Sequence, residues 1–224
     1  MKTQWLLDIS HELRTPISIL KGEIEALQDG VRPLEPSALD SLQEEASCLE
    51  KIVQDLHLLS KADSDSLAMD MAQIDPIHLL NSVVHSFRPR FDEVGLIVET
   101  QFSENHTLIR GDAVRLKQLF LNVFENCLKY SDKPGMVTVR TETGRERLSI
   151  EITDTGPGVP GGQLDKIFDR LYRVDSSRNR EAGGSGLGLS ICKMIATAHD
   201  GIIKGFPAPE QGLGIRVELP LYKK

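Results

Sequence analysis

Leucines recur every seven residues at Leu6, Leu13, Leu20 and Leu27, and Ile17 and Ile24 stand three residues ahead of the last two. Thr3 and Ser10 hold the earlier places of that second series, so the spacing predicts one long helix from Thr3 to Leu27 with an a/d seam. Asp29, Gly30, Pro33 and Pro36 then mark a turn. Beyond it Leu39, Ala46 and Val53, with Leu42, Leu49 and Leu56, repeat the pattern from about Ser37 to Asp63. Two such helices joined by a short turn make a hairpin. A lone hairpin leaves one side of each seam in water, and a second copy would cover it by completing a four-helix bundle, so a homodimer is the favoured assembly.

From about Ser66 the periodicity changes. Short runs with β character, Leu96 to Phe102, Met136 to Thr141 and Leu148 to Asp154, alternate with helical stretches and Gly/Pro turns, the pattern of an α/β sandwich. Asp75 followed by Pro76 reads as a helix cap with proline at the first position, Gly95 as a stop, and Asp112 as the cap of a helix through Tyr130. A further helix is expected from Leu187 to Ala198, with closing strands near Gly201 to Phe206 and Gly214 to Leu219. The polar stretch Asp175 to Ser185 is expected to form a mobile loop. The fold class is therefore α followed by α/β, in two domains covering residues 1–65 and 66–224.

Composition narrows the function. With 26 Lys+Arg against 33 Asp+Glu the net charge is −7, and without a basic excess direct binding to nucleic acid is not expected. Cys48, Cys127 and Cys192 are too few and too far apart for a disulfide framework or a zinc site, which points to a reducing compartment. No apolar run is long enough to span a bilayer, and the N-terminus meets Asp8 too early for a signal peptide. Because the chain opens almost inside a helical pattern, an upstream segment is expected, and any membrane connection would run through it.

Four stretches carry chemistry. In Ser10-His11-Glu12-Leu13-Arg14-Thr15-Pro16 the heptad puts His11 at b, beside the seam and facing water, with Thr15 one turn away on the same face and Glu12 one step round the helix. Pro16 removes an N–H, leaving the carbonyl of Glu12 without its helical partner and giving the helix a place to bend. The arrangement is not the HExxH zinc motif, because Thr15 stands where the second histidine would be. Taken alone, an exposed histidine beside a glutamate is more often a solvated pair. Asn122 and Asn126 lie four apart on one helix, offering two amide oxygens suited to magnesium, with Lys129 a turn later placed for a phosphate. Asparagine is a mediocre helix former, so two of them in mid-helix ask for a reason. The last two stretches are Asp154-Thr155-Gly156-Pro157-Gly158 after a strand and Gly183-Gly184-Ser185-Gly186-Leu187-Gly188 at a helix start, where glycine lets backbone amides approach phosphates. The second lacks the preceding strand of a Rossmann fingerprint and the GK[ST] ending of a P-loop.

In this order the stretches, together with Ile167-Phe168-Asp169-Arg170-Leu171-Tyr172-Arg173, resemble the H, N, G1, F and G2 boxes of bacterial sensor histidine kinases, and the resemblance covers essentially the whole chain. It implies a dimerisation and histidine-phosphotransfer domain over residues 1–65 and a Bergerat-type (GHKL) ATP-binding domain over residues 66–224. By that resemblance His11 accepts the γ-phosphoryl group of ATP, Glu12 assists its deprotonation, and Glu12-x-x-Thr15 matches the motif associated with phosphatase activity. Asn122 and Asn126 hold Mg2+, Lys129 and Tyr130 touch phosphates or ribose, and Asp154 accepts from the adenine amino group. Gly156, Gly158, Gly184, Gly186, Leu187 and Gly188 shape the pocket and its lid, with Arg173 and Arg178 on phosphates. Leu171 stands where the family often has an aromatic, and Cys127 where alanine is usual. The implied partners are a second copy and a response-regulator receiver domain, and the implied location is the cytoplasmic portion of an inner-membrane sensor. The alternatives are a GHKL-fold ATPase without histidine phosphorylation and a dimeric scaffold that only binds nucleotide.

Overall fold

A computed structural model describes the backbone of all residues except 1, 65, 105–106, 175–184, 210 and 224, and the side chains of these, of residues 2–8 and of Glu12 lie outside the description. The chain divides into two units, Met1–Ser66 and Leu67–Lys224.

The first unit is a hairpin of α1 (Lys2–Gln28) and α2 (Pro36–Asp63), and α1 runs as one helix through Pro16. Pro36 sits at the first position of α2, where its missing N–H costs nothing. The turn is held by Arg32, whose guanidinium donates to Glu23 Oε1 at 3.1 Å, and by Ser41, whose hydroxyl donates to the same oxygen at 2.7 Å. The contact between the helices differs from the a/d expectation. Pro16 on α1, and Ala38, Ile52 and Leu59 on α2, are buried, and each stands one residue before an expected a position. The d leucines Leu13, Leu20, Leu27, Leu42, Leu49 and Leu56 are half-buried. The a row faces out, with Ile17 52%, Ile24 43%, Leu39 55% and Val53 56% exposed. A heptad pattern fixes the apolar stripe but not which of its edges meets the neighbour within the chain.

The second unit is a two-layer sandwich. A five-stranded sheet runs in the order β2-β4-β5-β7-β6, formed by β2 (Leu96–Gln101), β4 (Gly135–Thr143), β5 (Arg147–Asp154), β6 (Ile202–Pro207) and β7 (Leu213–Pro220). β2 and β4 are parallel and the other neighbours antiparallel. Two three-residue strands that the sequence pattern does not reveal, β1 (Ala72–Ile74) and β3 (Ile109–Gly111), pair separately. Three residues are too few to show alternation.

Helices α3 (Pro76–Glu93), α4 (Ala113–Tyr130) and α5 (Gly188–Ala198) cover one face of the sheet. Both expected caps form: Asp75 Oδ1 accepts from the N–H of Ile77 and of His78, and Asp112 Oδ1 from Val114 and Arg115. Gly95, at φ +77°, ends α3 in the left-handed region. Phe87, Phe91 and Phe124 lock α3 to α4, with ring centroids 5.5–6.0 Å apart. His199, just after α5, accepts the Asp112 N–H on Nε2 at 2.9 Å, while Nδ1 lies 2.8 Å from the Ile195 carbonyl, so the ring is the neutral Nδ1–H tautomer. This buried ring ties the end of α5 to the start of α4.

Candidate functional site

His11 lies on α1 with its side chain in water, as the b position requires. Thr15, one turn on, is also exposed, and its hydroxyl donates to the His11 carbonyl at 3.4 Å. The Glu12 side chain lies outside the described residues.

In the second unit the alternation along β5 explains the key carboxylate. Leu148, Ile150 and Ile152 point into the helix layer, and Asp154 continues that row as its polar end, only 8% exposed. Burial pushes its carboxyl up to about 6, although the Leu213 and Gly156 backbone N–H groups donate to it and Asp132 adds a smaller upward push. The Leu213 N–H lies 3.2 Å from Oδ1. That donor belongs to a tight loop in which Gln211 has φ +61° and a Cβ on Gly212 would fall 1.9 Å from the Asp154 carbonyl oxygen. In the sequence this loop leaves a single signal, Gly212-Leu213-Gly214, too slight to mark it as part of a site.

The strand end meets the end of α4. A Cβ on Gly156 would lie 2.7 Å from the Tyr130 carbonyl and 3.0 Å from Asp154 Oδ1, so only glycine allows this approach. Tyr130 is half-buried and Lys129 exposed. Cys127, buried beneath, has its thiol pushed well up by burial and by the nearby Asp154, which leaves it an unreactive packing group. Thr155 Oγ1 accepts the Met136 N–H at 2.7 Å and pins the turn to β4. Gly158, at φ +68°, crosses close to Gly212.

The asparagine pair does not form an evenly solvated polar face. Asn122 is buried and its amide donates to the Gly188 carbonyl at 3.3 Å, while Asn126 is half-buried. The same bond draws the first turn of α5 against α4, and Leu187, the N-cap of α5, is fully buried. With its Nδ2 donating to Gly188, Asn122 keeps its Oδ1 as an acceptor, and Asn126 follows one helical turn later. Among the described residues no three His, Cys, Asp or Glu side chains group as a metal site, and two amide oxygens are a donor set that suits magnesium with much of its water retained.

Gly186, at φ +65°, packs on Leu171, itself at φ +60°, and the Leu171 N–H donates to the Gly186 carbonyl at 3.0 Å. A left-handed leucine is uncommon, and here its backbone closes the turn before the α5 loop. Arg173 is half-buried next to this turn. Arg178, Gly184 and the stretch expected to be a mobile loop lie mostly or wholly outside the described residues. Asn122, Asn126, Tyr130, Asp154, Gly156 and Gly188 therefore line the zone where α4, the end of β5 and the start of α5 converge.

Comparison with known proteins agrees with this geometry. Residues 111–223 match the family model described as histidine kinase-, DNA gyrase B- and HSP90-like ATPase, and residues 1–65 match the His Kinase A (phospho-acceptor) domain. The chain is 45% identical over 221 residues, 99% of its length, to the signal transduction histidine-protein kinase BaeS of Escherichia coli, of which it spans 47%. It is 36% identical to the sensor protein kinase WalK of Staphylococcus haemolyticus, spanning 36% of that protein. The chain thus spans half or less of the length of these curated relatives. Among solved structures, the histidine kinase AdeS of Acinetobacter baumannii superposes with a TM-score of 0.80 at 25% identity, covering 95% of this chain and 98% of that one. The chain belongs to the histidine kinase-, DNA gyrase B- and HSP90-like ATPase family and, with a phospho-acceptor domain ahead of the ATPase domain, is a sensor-histidine-kinase catalytic core.

Proposed function

We propose that the chain phosphorylates His11 from ATP and passes the phosphoryl group to an aspartate of a response-regulator receiver domain. The observation that carries the reading is the pairing, in one chain, of a water-facing His11 on a helical hairpin with a pocket wall ending in the buried Asp154. Phosphoryl transfer demands mainly position and neutralised charge, and the two units divide these tasks. The Asp154 carboxylate accepts the adenine amino group, and its burial strengthens that bond. The amide oxygens of Asn122 and Asn126 hold Mg2+, which neutralises phosphate charge when bound. Lys129, Tyr130, Arg173 and Arg178 orient the ribose and phosphates, and Gly156, Gly158, Gly184, Gly186, Leu187 and Gly188 let the backbone approach the nucleotide.

His11 supplies the nucleophilic ring nitrogen, and Glu12 takes its proton. The N–P bond so formed is reactive toward a carboxylate, which suits relay to an aspartate, and Glu12 with Thr15 serves the reverse task of clearing a phosphorylated regulator. The working form is a homodimer joined through residues 1–65, on the support of the exposed row Ile17, Ile24, Leu39 and Val53. It is the cytoplasmic portion of an inner-membrane sensor. Among the described residues no helix is long and apolar enough to cross a membrane. Two fold relatives add support: one was solved as full-length ShkA with AMPPNP, and another as the histidine kinase ThkA with the response regulator protein TrrA.

Incubation with γ-labelled ATP and magnesium should give an acid-labile, base-stable phosphoprotein, and His11→Ala should abolish it while ATP binding persists. ATP hydrolysis with no phosphoprotein in the intact chain would favour an ATPase of the gyrase type, and label persisting on His11→Ala would move the phospho-acceptor to another residue. Binding without either reaction would leave a nucleotide-binding scaffold.

A further inference from the structure

The helical unit contains one acid that its proposed chemistry does not use. Asp55, on α2, is 4% exposed and shares the inward face with Ile52, Leu58 and Leu59. Its level on the hairpin follows from the Ser41–Glu23 bond, which sets those two residues opposite each other in an antiparallel pair. Fourteen residues beyond Ser41 on α2 lies level with fourteen before Glu23 on α1, so Asp55 stands opposite Ile9, within a turn of His11.

A carboxylate held between helices is poorly hydrated unless donors replace the lost water, and none reaches Asp55 among the described residues, which leaves its oxygens only the solvent at the edge of the contact. Lys51, one turn back on α2, is its one charged neighbour of note, and burial outweighs that cation. Other ionisable groups near this level are Glu50 and His57, both exposed on α2, and Asp8, His11, Glu12 and Arg14 on α1. His11 and Arg14 are exposed, and the side chains of Asp8 and Glu12 lie outside the described residues.

We propose that Asp55 makes the phospho-acceptor hairpin acid-sensitive: protonation of its buried carboxyl tightens the pairing of α1 and α2 beside His11, and ionisation loosens it. The sign follows from linkage. Burial raises this carboxyl from 3.8 to about 6, so its favourable contribution to the folded hairpin is complete below 3.8 and is lost as the pH rises through 6. Acidification to pH 6 and below would therefore stiffen the helix that presents His11. The device adds a chemical input at the hairpin itself, independent of any signal arriving from an upstream segment.

The test requires no catalysis, so it stands apart from the kinase assay. Amide hydrogen exchange is measured on the full chain from pH 5 to pH 8, at fixed protein concentration and expressed as protection factors to remove the intrinsic pH dependence. Amides of residues 9–13 and 52–58 should gain protection as the pH falls through about 6. The gain should be about tenfold, a hundredfold ceiling set by the raised carboxyl being cut by solvent screening. Asp55→Asn should be flat across this range, and Lys51→Met, which keeps the acid but removes its cation, should move the midpoint to higher pH. An Asp55→Asn variant that keeps the wild-type profile would overturn the proposal, as would an unmoved midpoint in Lys51→Met should the first variant fail to fold. His11→Ala should leave the profile in place, and its loss there would transfer the effect to the histidine and equally overturn the assignment to Asp55.

Discussion

The hairpin and the sandwich handle the same problem in opposite ways. In the sandwich the buried carboxylate, imidazole and amide that join its elements are answered within the unit, although the buried Ser131 hydroxyl is not. Asp112 accepts from Val114, Arg115 and Asp70, and these bonds, outweighing the upward push of burial, hold its carboxyl below the ordinary range. Both ring nitrogens of His199 are engaged, and Asn122 spends its amide on α5. Apolar groups are closed in as well, with Phe91, Phe120 and Phe124 fully buried. The hairpin instead leaves a whole heptad row, Ile17, Ile24, Leu39 and Val53, in water and keeps the Asp55 side chain between its helices without a donor among the described residues. A unit that satisfies itself can act as a rigid nucleotide platform, whereas a unit left incomplete depends for its stability on a second copy and on conditions.

The largest way to break this contrast is to open the sandwich. Phe124→Ala removes a ring that touches both Phe87 and Phe91, and it should destabilise the α/β unit by about 3–5 kcal/mol, read from its denaturant transition in the full chain. The helical unit should be left as it was. A loss under about 1 kcal/mol would mean that the three rings do not hold α3 to α4.

Next in size is the outward row of the hairpin. Val53→Asp places a charge on a row proposed to face the second copy, and it should weaken association by about 2 kcal/mol or more, since that charge would have to be desolvated. Sedimentation should show monomer at concentrations where the parent chain is dimeric, with ATP affinity unchanged because the nucleotide pocket is self-contained. Unaltered dimerisation would move the interface to another face.

Asp154 comes third, and pH exposes its two roles. Burial holds its carboxyl near 6 against 3.8 in the unfolded chain, so its contribution to the ligand-free unit is full below 3.8 and lost as pH rises through 6. Adenine binding prefers the ionised form. ATP affinity and ligand-free stability should therefore move in opposite directions between pH 7.5 and 5.5, the first falling and the second rising. Asp154→Asn should cost about 1.5–3 kcal/mol of ATP affinity, the usual range for a bond to a charged group, and flatten both trends. Calorimetry and thermal melting across this range check the pair, and parallel trends would place the titration elsewhere.

These differences also separate what sequence discloses from what it does not. The β5 alternation, the Asp75 and Asp112 caps and the glycine stop at Gly95 are local signals and appear in the structure where they were expected. The pairing that parts β1 and β3 from the main sheet is non-local and rests on three-residue runs. The heptads announce a stripe, yet whether Ile52 or Val53 turns inward depends on a rotation that only the packed pair decides. His11 and the asparagine pair stand out in the sequence by their helical spacing and Asp154 by a resemblance to a family motif, and the structure adds that His11 is exposed while Asn122 and Asp154 are buried. The Gln211 to Leu213 loop, which meets Asp154 through backbone atoms, is nearly silent because a main-chain donor leaves no residue type behind.

The smallest structural effect belongs to Thr15, and it isolates function from stability. Its hydroxyl reaches the His11 carbonyl at 3.4 Å, a long contact within an exposed turn, so Thr15→Ala should change hairpin stability by no more than about 0.5 kcal/mol. The imidazole and the carboxylate of Glu12 remain, so autophosphorylation should survive. Dephosphorylation of a phosphorylated regulator should not, if that hydroxyl turns from the carbonyl to orient the attacking water. Its position on the His11 face, one turn away, puts it within reach of an aspartyl phosphate docked there. Thr15→Ser keeps a hydroxyl on the same face and should retain the phosphatase activity. Purified variants are compared with ATP and, separately, with phosphorylated regulator. Equal loss of both activities in Thr15→Ala would reveal damage to the helix, and loss of neither would make Thr15 an ordinary surface residue of the self-contained turn around His11.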